Sequence, residues 1–330
     1  MHLPKFDYER LTSAEEAGRL LGRYGGDARL VAGGTDLFPR MKYGLLRPRV
    51  ILDMKGLSVK SPEVNGDGNL RLGAMTSLAG LARDPLVREK APLLAEAALG
   101  VGSVQVRERA TLGGNICLET RCLYYNQSHT FQFTQACFKR GGDLCYLVPG
   151  GKKCLAVFCA DTVPALISLG ASIGIGGPGG VRRILLEKFY TGDAVQPLAI
   201  SPTELVTEVI IPARPRIGGE AFAKFSVRGG VEFAAVTAAV ALRMESDGAT
   251  CSAAVITVGA VSPAPRRARK AEEALQGKRL SPELFGESAR IAAGEISPLP
   301  HHGFSAPYLR ECLEVQIRRA LEAVAKRVRS

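Results

Sequence analysis

Cysteine thiols are the side chains of this sequence whose grouping most directly suggests chemistry. Six of the eight cysteines lie from Cys117 to Cys159, and the other two, Cys251 and Cys312, each stand alone. The first residues lack an apolar signal-peptide core, which predicts a soluble, cytoplasmic protein in a reducing compartment, where disulfide frameworks are rare. Clustered thiolates in such a protein indicate metal or iron–sulfur ligation.

Two glycine-rich turns are the second candidate site. VAGGTDL occupies 31–37 and TLGGNI occupies 111–116. Main-chain N–H groups in such turns can bind a pyrophosphate, because glycines allow unusual backbone angles and close approach. For AGGT alone, a turn without any ligand is the commoner explanation. Neither turn has the G-x-G-x-x-G spacing of a dinucleotide-binding Rossmann unit.

Length and composition indicate a globular protein of two or three domains. The chain has 330 residues, 46% apolar content and a net charge of +11. Its longest apolar run, 234–242, is far shorter than the roughly 20 residues that span a bilayer. The basic residues are scattered and are not interleaved with aromatic residues, which argues against a nucleic-acid groove.

Apolar periodicity divides the chain into three parts. Residues 1–55 predict a small α/β unit whose first helix begins near Thr12 and Glu15, which have capping-box spacing. Residues 56–212 continue with helices and strands but are interrupted at 118–158, a segment that fits neither period and therefore looks inserted. Residues 213–330 begin with a linker and predict antiparallel strands followed by three helices, an α+β domain.

The order and separation of three motifs resemble one known family. VAGGTDL at 31–37, TLGGNI at 111–116 and Asp161 with the following PAL resemble the FAD-binding domain of molybdenum hydroxylase flavoproteins, and SAPYLRECLEVQIRRALEAV at 305–324 resembles the closing helix of their C-terminal domain. The resemblance implies an α+β chain, with a two-subdomain FAD-binding α/β domain, an inserted cysteine-rich loop and an α+β C-terminal domain.

The same resemblance implies where FAD binds. The pyrophosphate would lie on the main chain of the first glycine turn, Thr35 would add a hydroxyl, and the second turn would supply further contacts. Asp161 corresponds to a position that binds the adenosine part, with a helix N-cap as the alternative role. Lys224 corresponds to a lysine near the flavin ring, with a solvated strand residue as the alternative. The implied cofactor residues are Val31, Ala32, Gly33, Gly34, Thr35, Asp36, Leu37, Thr111, Gly114, Asn115, Asp161 and Lys224.

The inserted segment resembles that of one branch of the family, the 4-hydroxybenzoyl-CoA reductases, which carry an additional 4Fe–4S cluster there. This resemblance implies four metal ligands, Cys122, Cys137, Cys145 and Cys154. Their spacings of 14, 7 and 8 intervening residues exclude the compact C-x-x-C knuckles of structural zinc, although four thiolates could hold either zinc or a cluster.

The remaining thiols and one histidine are weaker candidates. Cys117 and Cys159 flank the insertion and are predicted to be small core residues. His129 could replace a cysteine as a ligand, but a solvated loop histidine is the more common case.

Taken together, the resemblance implies an electron-transfer subunit with FAD and a 4Fe–4S cluster and no catalytic acid or base. Its partners would be a large molybdenum-cofactor subunit and a small 2Fe–2S subunit, in a dimer of heterotrimers, with ferredoxin as electron donor. A basic face of the insertion, formed by Arg121, Lys139, Arg140, Lys152 and Lys153, could dock an acidic ferredoxin. A related hydroxylase flavoprotein and a zinc-stabilised binding module remain alternatives.

Overall fold

A computed structural model of the protein describes residues 2–57, 60–127, 135–213 and 218–329. Their strands form three separate sheets of three, five and four strands. Among these residues, no helix combines the length and the apolar character needed to cross a membrane.

The first sheet is parallel, with strand order β1-β3-β2. Its strands and helices are β1 Asp7–Arg10, α1 Ala14–Tyr24, β2 Ala28–Val31, α2 Leu37–Lys42 and β3 Val50–Asp53. The helix α1 begins one residue later than the capping-box spacing predicts, because Ser13, and not Thr12, is the N-cap. The Ser13 hydroxyl accepts from the Glu16 N–H at 3.1 Å, and the Glu16 carboxylate accepts from the Thr12 N–H at 2.7 Å.

The second sheet is antiparallel, with strand order β4-β5-β8-β6-β7. Its strands are β4 Glu63–Val64, β5 Leu70–Gly73, β6 Ser172–Gly177, β7 Gly180–Leu185 and β8 Leu205–Ile211. Six short helices accompany it: α3 Leu78–Arg83, α4 Pro85–Lys90, α5 Pro92–Leu99, α6 Val104–Arg109, α7 Leu112–Ile116 and α8 Thr162–Ser168. Pro85 and Pro92 are each the first residue of a helix, a position where the missing N–H does no harm.

The cysteine loop, residues 118–158, leaves and re-enters this second unit at neighbouring points. Arg121 and Val157 exchange two main-chain hydrogen bonds, of 2.8 and 2.7 Å, that close the base of the loop. Its described residues form turns, isolated bridges and one short 3-10 helix, Phe138–Arg140. The predicted His129 and the loop aromatics Phe131 and Phe133 fall outside the described residues.

The third sheet is antiparallel, with strand order β12-β11-β10-β9. Its elements are β9 Gly218–Phe225, β10 Val236–Met244, β11 Cys251–Gly259, β12 Arg266–Arg267, α9 Arg269–Leu275, α10 Pro282–Glu295 and α11 Ala306–Arg329. The strands and three helices predicted for this part are therefore present. The long helix α11 packs on the sheet through Leu309, Leu313, Ile317 and Leu321, which are fully buried at the four-residue spacing of one helix face.

Gly33, after β2, is where the first unit touches the second most closely. A Cβ atom at this position would lie 1.9 Å from the Arg109 carbonyl oxygen at the end of α6, far inside van der Waals contact. Only glycine allows the two main chains to approach in this way.

We expect Gly33→Ala to lower the free energy of unfolding by about 1–3 kcal/mol, the usual cost of overpacking. Urea unfolding followed by circular dichroism measures it. Gly26→Ala is the matched control, since a Cβ there has no atom within 4 Å. Equal stabilities of the two variants would contradict the close approach.

Candidate functional site

A cavity of about 540 Å³ lies where parts from all three units meet, a volume typical of small-molecule sites. Its walls come from the turn after β2, the start of α7 and the segment before β10. Eleven of the twelve predicted cofactor residues line it, namely Val31, Ala32, Gly33, Gly34, Thr35, Asp36, Leu37, Thr111, Gly114, Asn115 and Asp161. The twelfth, Lys224, reaches the cavity wall through its contact with Asp161.

The first glycine turn presents free main-chain donors to this cavity. Gly34 has a φ of +72°, which glycine adopts without strain. No described residue accepts a hydrogen bond from the N–H groups of Gly33, Gly34 or Thr35. Unpaired N–H groups at a cavity wall suit an anionic ligand such as a pyrophosphate.

The second glycine turn uses its polar side chains to hold its own shape. The Thr111 hydroxyl caps α7 by accepting from the Gly114 N–H at 3.1 Å. The Asn115 side-chain oxygen accepts from the Thr162 hydroxyl at 2.6 Å and from the Thr162 N–H at 3.3 Å. The Asn115 oxygen therefore joins α7 to α8. The N–H groups of Leu112, Gly113, Gly114 and Asn115 all donate within the protein, so the polar group that this turn can offer a ligand is chiefly the Asn115 amide nitrogen.

Asp161 and Lys224 form a buried ion pair at the cavity wall. The Lys224 ammonium donates to Asp161 Oδ2 at 2.7 Å and to the Gly100 carbonyl at 2.7 Å. Burial raises the pKa of Asp161 to about 6, although Lys224 acts in the opposite direction. The other carboxylate oxygen, Oδ1, is buried and has no hydrogen-bond partner among the described residues, so it can accept from a ligand hydroxyl or amide.

This pairing argues against the alternative roles predicted for both residues, a helix N-cap for Asp161 and a solvated strand residue for Lys224. Asp161 stands at the N-cap of α8, but its side chain makes no capping hydrogen bond, and Lys224 is not a solvated strand residue, since its side chain is 14% exposed. The resemblance assigned Asp161 to the adenosine end and Lys224 to the flavin end of the ligand. Asp161 lines the cavity, whereas Lys224 does not line it and lies behind it in contact with the Asp161 carboxylate.

A buried ion-pair network joins this cavity to the cysteine loop, and the sequence reasoning missed it. Asp36, at the start of α2, pairs with Arg121 and with Arg40, whose Nη1 lies 3.7 Å from the carboxylate. Arg40 also donates to Glu119 at 2.8 Å, and Glu119 accepts from Lys139 at 2.9 Å. Only the four-residue spacing of Asp36 and Arg40 on a helix is visible as a sequence signal.

The predicted basic docking face of the loop is therefore only partly present. The side chains of Arg121 and Lys139 are 11% and 4% exposed, and both are ion-paired. Lys152 and Lys153 are exposed. The hypothesis that all five cations form one docking surface is wrong, because Arg121 and Lys139 are themselves almost buried and are paired with Asp36 and Glu119.

The structure brings four thiols of the loop together. Cys122, Cys137, Cys145 and Cys154 line one small pocket, together with Phe138, Lys139, Leu144 and Tyr146 among others. All eight cysteines of the chain are free thiols. Cys117 and Cys159 do not join the pocket but line the larger cavity instead, where burial raises the pKa of each thiol to about 12.

Main-chain N–H groups lie close to two of the four thiols in this pocket. The Tyr125 N–H donates to Cys122 Sγ at 3.3 Å. Burial raises the pKa of Cys154, whereas a hydrogen bond from the Ala156 N–H and the charge of Lys139 act to lower it. Among the residues that the structure describes, no three His, Cys, Asp or Glu side chains converge closely enough to hold a single metal ion.

Comparisons with known proteins agree with this architecture. Residues 4–214 match the family described as FAD binding domain in molybdopterin dehydrogenase. Residues 220–324 match the CO dehydrogenase flavoprotein C-terminal domain. Both the predicted fold and the predicted family are thereby confirmed.

Individual relatives match over nearly their whole length. The aldehyde oxidoreductase FAD-binding subunit PaoB of Escherichia coli is 31% identical, with 87% of this chain and 92% of the relative covered. The carbon monoxide dehydrogenase medium chain of Afipia carboxidovorans is 28% identical, with 98% of both chains covered. A solved carbon monoxide dehydrogenase structure from Hydrogenophaga pseudoflava superposes with a TM-score of 0.81 at 28% identity, with 99% of both chains covered.

The turns, the cavity and these matches lead to one conclusion. The chain belongs to the FAD-binding medium subunits of the molybdenum hydroxylase family, which are subunits of oxidoreductases.

Proposed function

We propose that this chain passes electrons between a 4Fe–4S cluster held by the cysteine loop and FAD held in the cavity. The complex would be a molybdenum-containing 4-hydroxybenzoyl-CoA reductase, which removes the phenolic hydroxyl to give benzoyl-CoA. The observation that carries the proposal is the convergence of Cys122, Cys137, Cys145 and Cys154 on one pocket, although they are spread over 33 residues.

The arrangement of the four thiols favours a cluster over a single zinc ion. A tetrahedral zinc site with bonds of about 2.3 Å brings its sulfur atoms to within about 4 Å of one another. The described thiols share a pocket, but no three of them are placed to hold a single metal ion. In a cluster each cysteine binds a different iron, which suits ligands set further apart around a common centre. The apolar wall of Phe138 and Leu144 would limit access of water.

The cavity residues fit FAD. Free N–H groups at Gly33, Gly34 and Thr35 would bind the pyrophosphate, and the unpaired Oδ1 of Asp161 would accept from a hydroxyl or N–H group of the cofactor. When bound, FAD exchanges two electrons and a 4Fe–4S cluster exchanges one, so the pair links one-electron and two-electron chemistry. The chain itself would bind, orient and shield the two groups.

The remaining partners follow from this role. A large molybdenum-cofactor subunit, a small 2Fe–2S subunit and ferredoxin as donor would complete a cytoplasmic dimer of heterotrimers. The exposed Lys152 and Lys153 are the cations of the loop that remain available to an acidic donor.

A second candidate is a flavoprotein subunit that serves the oxidation of a different substrate. The names of the relatives favour it, since they include carbon monoxide dehydrogenase, aldehyde oxidoreductase and nicotine 6-hydroxylase. If this chain served such an oxidation, electrons would leave the complex through it and not enter through it. The direction of electron flow separates the two candidates: reduction of 4-hydroxybenzoyl-CoA by a one-electron donor supports the first, and oxidation of another substrate supports the second.

Cys137→Ser should remove the iron and acid-labile sulfide that this chain contributes, while at least most of the FAD remains, because the cysteine pocket and the cavity have separate walls. Iron, sulfide and flavin analysis of the anaerobically purified complex measures this. Cys312→Ser, on α11, is the matched control and should keep both cofactors. Iron content unchanged by Cys137→Ser, or zinc in place of iron, would contradict the proposal.

Thr35→Asp should weaken FAD binding at least tenfold, because it adds a negative charge where the pyrophosphate is proposed to lie. Thr35→Val keeps the shape and removes only the hydroxyl, so we expect it to lose less affinity. Fluorescence titration of the deflavinated complex gives both dissociation constants. Equal effects of the two substitutions would place the pyrophosphate elsewhere.

FAD affinity should fall by about tenfold between pH 7 and pH 5, because the carboxylate of Asp161 accepts from the cofactor and its pKa in the free protein is about 6. The affinity falls at low pH because protonation of Asp161 below pH 6 removes the charged acceptor. Asp161→Asn cannot titrate, so its affinity should lack this component. Parallel pH profiles of the native protein and the variant would exclude Asp161 as the titrating group.

A further inference from the structure

Lys139 is a buried cation at the edge of the cysteine pocket. Its side chain is only 4% exposed, and it lines the pocket with the four thiols. The ammonium donates to Glu119 Oε1 at 2.9 Å, to the Ala194 carbonyl at 2.6 Å and to the Thr120 hydroxyl. Three acceptors match its three donors, so the charge is held in one place.

The carboxylate paired with Lys139 is that of Glu119. Glu119 lies between Lys139 and Arg40 and pairs with both, so its single negative charge is shared by two cations. Arg40 in turn contacts Asp36 at the cavity. The side chain of Lys139 also lies against the Tyr125 ring, with its nitrogen 5.2 Å from the ring centre. Because the ammonium is almost fully shielded from solvent, its charge acts on neighbouring groups with less screening than an exposed charge.

We infer that Lys139 sets the reduction potential of the iron–sulfur cluster, with Glu119 as the residue that positions and partly neutralises its ammonium. This inference rests on the proposed function. Reduction adds one electron, taken from a one-electron donor such as ferredoxin, with no bond broken and no proton required. The added negative charge lies beside the fixed positive charge, so Lys139 favours the reduced form and raises the potential.

The two residues make opposite predictions. Lys139→Gln removes the positive charge and should lower the ratio of reduced to oxidised cluster at least tenfold at the native midpoint, equivalent to 59 mV for one electron. Glu119→Gln removes the neutralising charge and should raise that ratio. Lys139→Arg keeps the charge and should remain close to the native protein. Lys152→Gln makes the same charge change at an exposed site of the same loop and should have little effect.

The experiment is a dithionite titration of the intact anaerobic complex with redox mediators, followed by low-temperature EPR of the cluster signal. Opposite shifts for Lys139→Gln and Glu119→Gln, with unchanged iron and sulfide, support the inference. Shifts in the same direction, no shift, or an equal effect of Lys152→Gln overturn it. If Lys139→Gln does not assemble a cluster, the sign of the Glu119→Gln shift decides, and loss of the cluster from both variants shows a structural role and overturns the inference.

The iron content of the native complex distinguishes failure of the proposed function from failure of the role of Lys139. If it contains no iron beyond that of its 2Fe–2S subunit, the proposed function fails. If it contains the additional cluster but the variants do not shift its potential, only the role of Lys139 fails.

Discussion

The ion pairs between α2 and the cysteine loop are the interaction on which the rest of the arrangement depends. Arg40 is buried and pairs with Asp36 and Glu119, and Glu119 also pairs with Lys139, so the four residues form a continuous chain of alternating charges. A buried charge without a partner costs several kcal/mol, so these residues cannot separate without a large penalty. The loop is therefore held in a defined position against the first glycine turn, and Leu118 at its start lines the cavity.

The cavity has a second constraint, which is close approach of main chains. Gly33 lies against the end of α6 with no room for a side chain, and Thr111 and Asn115 use their side-chain oxygens to fix α7. In the first turn the N–H groups of Gly33, Gly34 and Thr35 have no acceptor among the described residues, so they remain available to a ligand. The same rigidity that orders the turns thus prepares the anion site.

The cysteine loop joins the rest of the second unit at one narrow base. Paired hydrogen bonds between Arg121 and Val157 close its base, so the strands and helices on either side keep their places. Its thiols face a pocket of their own, while Cys117 and Cys159 face the cavity. The walls of the pocket and of the cavity are therefore formed by different residues.

Local patterns determined the elements and the residue types of both sites. The glycine turns and the capping sequence before α1 could be read from the sequence, because each depends on neighbours within a few positions, whereas the four inner cysteines were predicted from the family resemblance. Only the tertiary structure decided which distant charges meet. Lys224 pairs with Asp161 across 63 positions and Arg40 with Glu119 across 79, and no local period encodes such contacts. The sequence therefore could not show that Arg121 and Lys139 are buried partners and not a docking surface, since that depends on how the loop folds back on α2.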